Sequence, residues 1–274
     1  MNKQTIIQLS DGNQIPQLGL GVWQASDDEA QMAVAHAINL GYRHIDTAAI
    51  YKNEKGVGLG IKDASIPREE IFVTTKVWNS EQGAKTTKAA LDESLKRLDL
   101  DYVDLFLIHW PCPKKGLYVE TWKTLIEAKE QGKLRSIGVS NFNPEHIQKL
   151  IDETGVIPVL NQIEVHPYFQ QNELRKALKS LGVKTQAWSP LGQGQVLSDE
   201  TIATIAKKHG KTAAQVIIRW HMQLDNIAIP KSITPSRIEE NFDIFSFELT
   251  AQDMAQIASL DKGLRLGPNP LEFE

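Results

Sequence analysis

Four polar side chains stand at or just beyond the places where apolar segments of the chain end. Asp46, Lys76 and His109 each close a strand-like segment containing β-branched or aromatic residues, and Tyr51 follows shortly after Asp46. A lysine at the end of an apolar strand is costly to bury unless something uses its charge, although it could also reach water. Whether the four side chains meet depends on how the rest of the chain arranges these strands.

If they meet, the four side chains form a general acid suited to carbonyl chemistry. A free phenol has a pKa of roughly 10 and gives up its proton reluctantly at neutral pH. An ammonium such as Lys76 lowers the pKa of Tyr51, and Asp46 would keep that lysine charged. His109 could hydrogen-bond a carbonyl oxygen and orient it. The set could therefore protonate an alkoxide as it forms, which is half of a carbonyl reduction; the other half requires a hydride donor.

Other chemistries have less support in the sequence. It contains no His-Glu-x-x-His motif and no Cys/His cluster, so we expect no metal site. It also lacks the Gly-x-Ser-x-Gly motif of serine hydrolases. A lyase that forms a Schiff base through Lys76 remains an alternative. A paired Asp46 argues against it, because it would hold the lysine charged and non-nucleophilic.

The composition is that of an ordinary globular protein. The 274 residues have a formal net charge of -4, and they contain no acidic or basic block that would predict a nucleic-acid surface. The single cysteine, Cys112, excludes an internal disulfide and suits a reducing compartment. Neither a signal peptide nor an apolar run long enough to span a bilayer is apparent. We therefore expect a cytoplasmic protein without a nucleic-acid or membrane partner.

The elements that must position the four residues follow a repeating strand-helix order. A hairpin around the Asp11-Gly12 turn comes first, and eight strand-helix units follow it, with two extra helical stretches. Alternating strands and helices imply a parallel sheet, and eight units in about 250 residues suit a closed (β/α)₈ TIM barrel. We expect one such domain over residues 1–274. The predicted strands are 19–22, 42–47, 71–77, 102–108, 134–139, 159–164, 184–188 and 226–229.

The rival architecture is a doubly wound open sheet. That fold should carry a glycine-rich dinucleotide turn after its first strand, and residues 23–26 contain none. Gly56, Gly58 and Gly60 have the wrong spacing and lie within a predicted helix, which indicates close helix packing instead. In a barrel the active site forms at the C-terminal ends of the strands. The ends of the second, third and fourth strands are neighbours there, so all four polar residues can converge.

A possible anion site follows the eighth strand. Thr234 is a candidate N-cap and Pro235 suits the first position of a helix. Free backbone N–H groups at that helix start would favour an anion, and Lys231 and Arg237 add two positive charges. Phosphate sites in such barrels often lie near strands seven and eight. The alternative is a helix start with a solvated basic edge.

The sequence resembles the aldo-keto reductases over its whole length. Among them it looks most similar to the bacterial 2,5-diketo-D-gluconate reductases. The stretches that carry this similarity are residues 19–26, 188–191 and 265–268. The family motifs are GYRHIDTA at 41–48, YKNE at 51–54, KVW at 76–78, DLFLIHWP at 104–111, IGVSNF at 137–142, NQIEVHP at 161–167 and the run at 231–242.

The resemblance implies an NADPH-dependent carbonyl reductase and a role for each matching residue. Tyr51 would be the proton donor, tuned by Lys76 and Asp46, and His109 would orient the carbonyl. The nicotinamide carboxamide would be held by Ser140, Asn141 and Gln162, and its ring would stack on Trp188. The cofactor would also contact Asp46, Ser189 and Leu191, and the mouth for cofactor and substrate would be lined by Gly21, Val22 and Trp23. The 2′-phosphate of NADPH/NADP+ would be bound by Lys231, Ser232 and Arg237, and its adenine contacted by Glu240 and Asn241. Ile233 and Thr234 would also contact the cofactor. The substrate would contact Trp23, Tyr51, Trp78, His109 and Trp110.

The substrate range is the least determined part of the prediction. The loops at 113–117 and 192–197 and the tail after residue 260 are short, so we expect an open pocket. Candidate substrates are small carbonyl compounds: 2,5-diketo-D-gluconate, dicarbonyls like methylglyoxal, and aromatic aldehydes. A cofactor-binding regulatory subunit without enzymatic activity is a further alternative, against which the intact set of four argues. The resemblance implies a monomer.

Overall fold

The computed structural model describes residues 4–274 and arranges eight parallel strands in a ring. The eight strands pair in chain order, and bridges from Leu18 to Ala228 and from Gly21 to Lys231 connect the last strand to the first. This confirms the predicted (β/α)₈ barrel. The strands are β3 (Leu20–Gly21), β4 (His44–Asp46), β5 (Phe72–Val77), β6 (Val103–Ile108), β7 (Leu134–Ser140), β8 (Leu160–Glu164), β9 (Lys184–Trp188) and β10 (Ile227–Ala228).

Residues 4–274 form ten α-helices, so two are extra to the repeating unit, as predicted. Ser26 and Glu29 form the predicted capping box at the start of the first helix. No helix among residues 4–274 has the length and apolar composition needed to cross a bilayer. The helices are α1 (Asp27–Leu40), α2 (Glu54–Asp63), α3 (Ala84–Leu98), α4 (Tyr118–Glu130), α5 (Pro144–Thr154), α6 (Asn172–Ser180), α7 (Glu200–His209), α8 (Ala213–Gln223), α9 (Pro235–Phe242) and α10 (Ala251–Ala258).

The N-terminal hairpin closes one end of the barrel. Its strands, β1 (Ile6–Gln8) and β2 (Gln14–Pro16), pair antiparallel as predicted. Leu9 and Ile15 are buried in one cluster with side chains from the barrel strands, including Leu105 and Leu160. Hydrophobic side chains therefore fill the barrel under the hairpin. The open end, where the polar strand ends lie, is the opposite one.

The glycines of α2 let it pack directly against its neighbours, as the sequence analysis predicted. A Cβ on Gly56 would overlap the backbone carbonyl of Asp27, which lies at the start of α1. A Cβ on Gly58 would overlap the carbonyl of Leu98, the last residue of α3. The contacts are with backbone atoms, which cannot move aside as a flexible side chain can. The spacing of these glycines thus serves helix packing, not phosphate binding.

We expect Gly58→Ala to lower the free energy of unfolding by about 1–3 kcal/mol, although alanine favours helices more than glycine does. The new methyl group must push α2 away from α3. Lys55→Ala on the exposed face of the same helix is the matched control. Urea unfolding of both variants tests this, and an unchanged or increased stability of Gly58→Ala would contradict the packing argument.

Candidate active site

The four polar residues predicted from the strand ends meet at the open end of the barrel. Asp46 is the last residue of β4 and Lys76 lies one residue before the end of β5. Tyr51 ends a short 3₁₀ turn, Ala49–Tyr51, and His109 directly follows β6. The ring centroids of Tyr51 and His109 are 5.9 Å apart, and the Lys76 Nζ lies 5.1 Å from the centroid of the Tyr51 ring.

Lys76 is fully buried and forms an ion pair with Asp46. Its Nζ donates hydrogen bonds to Oδ1 of Asp46 at 2.6 Å and to the backbone carbonyl of Thr47 at 2.8 Å. Oδ2 of Asp46 accepts a hydrogen bond from Nε2 of Gln162 at 2.7 Å. Burial opposes the charge of Lys76, but Asp46 and Tyr51 together raise the pKa of the ammonium above its ordinary value. The lysine therefore stays charged and does not reach water.

Tyr51 holds its proton at neutral pH. Burial raises the pKa of its phenol above the ordinary value; the charge of Lys76 opposes that rise, and Asp46 adds to it. The net direction is opposite to the sequence-based expectation, which weighed the charge of Lys76 without the burial of the ring. Tyr51 is thus a protonated acid whose conjugate base would be stabilised by a neighbouring ammonium.

His109 is a neutral imidazole. Burial lowers its pKa well below 6.5, and the charge of Lys76 lowers it further. Its ring packs edge-on against Trp78, with centroids 5.1 Å apart, and lies parallel to Trp110. A neutral imidazole carries one N–H group and can donate it to a carbonyl oxygen without transferring a proton.

A row of amide and hydroxyl groups from neighbouring strand ends lies beside the ion pair. Ser140 donates from Oγ to the carbonyl of Gln162 at 2.8 Å. Asn141 donates from Nδ2 to the carbonyl of His109 at 3.0 Å, and its Oδ1 accepts from Nε1 of Trp188 at 2.8 Å. These bonds fix the side chains of Asn141 and Trp188 in relation to the imidazole.

These residues line a cavity of about 510 Å³ at the open end of the barrel. The walls are largely aromatic, and Trp23 is 43% exposed at the mouth. Lys76 lies beneath the cavity and is not part of its wall. The predicted residues in the wall are Gly21, Val22, Trp23, Asp46, Tyr51, Trp78, His109, Trp110, Ser140, Asn141, Gln162, Trp188, Ser189 and Lys231.

The sequence analysis missed eight residues of the cavity wall. Four of them lie in the C-terminal segment that we expected to leave the pocket open. Phe273, one residue from the C-terminus, packs against Trp110 with ring centroids 4.6 Å apart. This segment has no helix or strand period, so no sequence pattern indicated its path. The missed residues are Gln24, Ile50, Gln193, Ile229, Leu266, Gly267, Pro268 and Phe273.

The other predicted cofactor residues lie outside the cavity wall, mostly beyond β10. Thr234 is the N-cap of α9 with Pro235 in its first turn, as predicted, and the Thr234 side chain forms no capping hydrogen bond. Lys231, which also lines the cavity, and Arg237 are both exposed, and neither forms an ion pair with the described residues. The remaining predicted residues are Leu191, Ser232 and Ile233, with Glu240 and Asn241 in α9.

Glu240 and Leu191 are engaged in structural contacts. Oε1 of Glu240 accepts a hydrogen bond from Oγ1 of Thr212 at 2.7 Å, which links α9 to the start of α8. Leu191 and Ile233 pack against the main hydrophobic core. Within residues 4–274, no His, Cys, Asp and Glu side chains are grouped in a way that could hold a metal ion.

The chain has close relatives of known family. The model of the Aldo/keto reductase family matches residues 17–262. An aldo-keto reductase of Mycolicibacterium smegmatis is 57% identical over 267 residues, which cover 97% of each chain. Methylglyoxal reductase DkgA of Escherichia coli K12 is 53% identical over 275 residues, which cover 100% of this chain and 99% of the relative.

A solved structure of a relative contains the cofactor. A mutant of Gox0644 in complex with NADPH superimposes with a TM-score of 0.96 and is 51% identical, with 99% of each chain covered. The similarity therefore extends to the whole barrel.

The contribution of the buried Lys76–Asp46 ion pair to stability can be tested without an activity assay. We expect Asp46→Asn to lower the free energy of unfolding by about 3–5 kcal/mol, because it leaves the ammonium of Lys76 buried without a counter-charge. Adding Lys76→Met should restore most of that loss.

Urea unfolding measures both variants. Glu153→Gln is the control, because Glu153 forms only an exposed ion pair with Lys123 at 3.5 Å. A double variant as unstable as the sum of its two single variants would show that the two charges do not stabilise each other.

Proposed function

The chain belongs to the aldo/keto reductase family, and we propose that it reduces small aldehydes, ketones or keto sugars with Tyr51 as the proton donor. Proteins of this family are oxidoreductases, and NADPH is the reductant. The observation that carries the proposal is the buried Lys76–Asp46 pair beneath Tyr51, at 2.6 Å between Nζ and Oδ1. A charged lysine at this place stabilises the phenolate that remains after the proton is given away.

Tyr51 gives its proton to the oxygen of the substrate as negative charge develops on it. The phenol is protonated at neutral pH because burial raises its pKa, and a forming alkoxide is basic enough to take the proton. His109 donates a hydrogen bond to the same oxygen and orients the carbonyl group. Its low pKa suits this role, since a neutral imidazole does not compete with Tyr51 as the acid.

NADPH supplies the hydride when it is bound. We propose that Ser140, Asn141 and Gln162 hold its carboxamide and that Trp188 packs on its nicotinamide ring. All four line the cavity beside Asp46 and His109. Hydrogen bonds between Trp188 and Asn141 and between Gln162 and Asp46 hold three of these side chains in place. Gly21, Val22, Trp23, Ser189 and Leu191 complete this proposed contact surface.

The residues beyond β10 suit the phosphorylated end of the cofactor. The start of α9 offers backbone N–H groups that the Thr234 side chain does not cap, and such helix starts favour anions. Lys231 and Arg237 place exposed positive charges beside it. We propose that these two residues, with Ser232, Ile233 and Thr234, bind the 2′-phosphate, and that Glu240 and Asn241 contact the adenine.

The proposed substrates are small. The cavity of about 510 Å³ must hold the nicotinamide as well as the substrate, and ligand cavities in proteins typically span about 300–1,000 Å³. Trp23, Trp78 and Trp110 offer apolar surface to an aldehyde. The similarity to methylglyoxal reductase DkgA supports methylglyoxal and related dicarbonyls as first candidates. 2,5-Diketo-D-gluconate and aromatic aldehydes are the other candidate substrates.

We further propose that the chain works in the cytoplasm as a monomer.

The lyase alternative has lost its support. A Schiff base requires an uncharged, accessible amine, whereas Lys76 is 0% exposed and paired with Asp46. A lysine adduct trapped by borohydride would revive the lyase alternative.

Tight NADPH binding without turnover of any carbonyl compound would favour a regulatory subunit.

We expect Tyr51→Phe to reduce kcat/KM for carbonyl reduction by roughly 10²–10⁴-fold, because general acids contribute about that much to catalysis. The assay follows the loss of NADPH absorbance with a panel of carbonyl compounds. Tyr102→Phe is the matched control, since the Tyr102 ring lies between Arg68 and Arg135, away from the cavity. Activity that survives Tyr51→Phe would rule out the assigned proton donor.

The double variant Lys231→Ala, Arg237→Ala tests the phosphate site. We expect it to raise the Kd for NADPH roughly 100-fold and to leave the Kd for NADH nearly unchanged, because only NADPH carries the 2′-phosphate. Fluorescence titration measures both constants. Equal losses for the two cofactors would show that these cations do not bind that phosphate.

A further inference from the structure

We propose that Glu164 is a positioning residue that fastens the C-terminal segment, residues 264–274, over the cavity and so determines which carbonyl compounds fit. The proposal rests on the reductase function proposed above. Glu164 is the last residue of β8 and is 1% exposed, which is a costly place for a carboxylate unless it is fully hydrogen-bonded. The proton-transfer chemistry described above makes no use of it.

Both oxygens of Glu164 are occupied by the C-terminal segment. Oε1 accepts a hydrogen bond from the backbone N–H of Leu266 at 2.7 Å, and Oε2 accepts one from Gly267 at 2.9 Å. Nε2 of His166 lies 2.9 Å from Oε1 and donates to it. One buried side chain thus links the end of a barrel strand to a segment about 100 residues later in the chain.

The carboxylate of Glu164 is charged at neutral pH. Burial alone would raise its pKa, but the hydrogen bonds from His166, Gly267 and Leu266 outweigh burial and hold the pKa below the ordinary value. Hydrogen bonds to an ionised acceptor are about twice as strong as those between neutral groups. The hydrogen bonds that Leu266 and Gly267 donate to Glu164 are therefore charge-assisted and strong.

The segment fastened by Glu164 lies directly on Trp188. A Cβ on Gly267 would overlap the indole ring, so the backbone of the segment and the ring are in direct contact. Trp188 in turn donates its Nε1–H to Asn141. The segment therefore borders the substrate space at Trp188, while the hydrogen bond from Trp188 to Asn141 holds the indole in place.

The C-terminal end of the segment forms another part of the cavity wall, beside Trp110 and Trp78. Phe273 packs against Trp110 and Trp78, with ring centroids 4.6 Å and 6.2 Å away. Oε1 of Glu274 accepts a hydrogen bond from the backbone N–H of Lys114 at 2.9 Å. The segment is thus held at both ends, and Leu266, Gly267, Pro268 and Phe273 line the cavity between them.

The segment has a third attachment, at Tyr168 and Phe169. We therefore expect the loss of the Glu164 carboxylate to have only a moderate effect on substrate binding. The carbonyl of Tyr168 accepts hydrogen bonds from the backbone N–H groups of Lys262 and Leu264, both at 3.0 Å. The guanidinium of Arg265 lies 4.6 Å from the centroid of the Phe169 ring. Without Glu164 the segment remains attached here, but its wall over the cavity loosens.

The experiment compares Glu164→Gln with native protein on a small and a large substrate. An amide of the same shape loses the charge and one acceptor oxygen, so one buried N–H group is left without a good partner. We expect KM for a bulky aromatic aldehyde such as naphthaldehyde to rise roughly 10-fold. KM for methylglyoxal, and kcat for both aldehydes, should change less than about threefold. The bulky aldehyde depends on the wall, whereas Tyr51 and Lys76 are untouched.

Amide hydrogen exchange gives a readout that does not depend on turnover. We expect Leu266 and Gly267 to exchange roughly 10-fold faster in Glu164→Gln than in the native protein. Glu272→Gln is the matched control, because it removes an exposed carboxylate from the same segment. If native protein reduces neither aldehyde, the proposed function fails, while the exchange rates still decide whether Glu164 fastens the segment.

Two results would overturn the proposal. One is unchanged exchange at Leu266 and Gly267 together with unchanged KM values. The other is an equal loss of kcat on both aldehydes with a lower Tm, which a merely structural role would produce. Glu164→Asp decides the matter if Glu164→Gln fails to fold, because it keeps the buried charge but is one methylene too short to reach both N–H groups of the segment. It should reproduce the selective rise in KM, and a native KM for both aldehydes would contradict the proposal.

Discussion

The ion pair between Lys76 and Asp46 is the constraint on which the site depends. Removing two charges from water costs several kcal/mol per ion, and only good geometry and further hydrogen bonds offset that cost. The barrel supplies both. The strand ends of β4 and β5 are neighbours, which brings Nζ and Oδ1 to 2.6 Å, and Thr47 and Gln162 each add a hydrogen bond to the pair. A buried pair held by these three hydrogen bonds places a fixed positive charge beside Tyr51.

The rest of the fold separates an apolar end of the barrel from a polar one. The hairpin β1–β2 and the side chains beneath it, such as Ile15 and Leu105, fill one end. Parallel strands place their C-terminal residues at the other end, where Asp46 and Gln162 lie with His109 directly after its strand. The groups at the base of the cavity are therefore fully buried, and its wall combines aromatic with polar side chains. Burial strengthens the effect of Lys76 on Tyr51.

Much of the fold and the cluster of Asp46, Tyr51, Lys76 and His109 could be predicted because local patterns determine them. The strand-helix period led to the barrel, and the barrel placed Asp46, Lys76 and His109 together. The pKa of Tyr51 could not be predicted, since burial, which outweighs the charge of Lys76, depends on distant residues. The path of the C-terminal segment could not be predicted either. It has no periodic pattern, and Glu164 gives no sequence sign that its partners lie about 100 residues away.

Direct titration of Lys76 tests the central claim, which is that the lysine stays charged inside the barrel. The measurement follows the ¹³Cε chemical shift of Lys76 in labelled native protein as the pH is raised from about 6 to about 10. The account predicts the shift of an ammonium throughout, because Asp46 holds the pKa of Lys76 above its ordinary value of 10.5. Titration of Lys76 near neutral pH would contradict it, since the site would then contain a neutral amine.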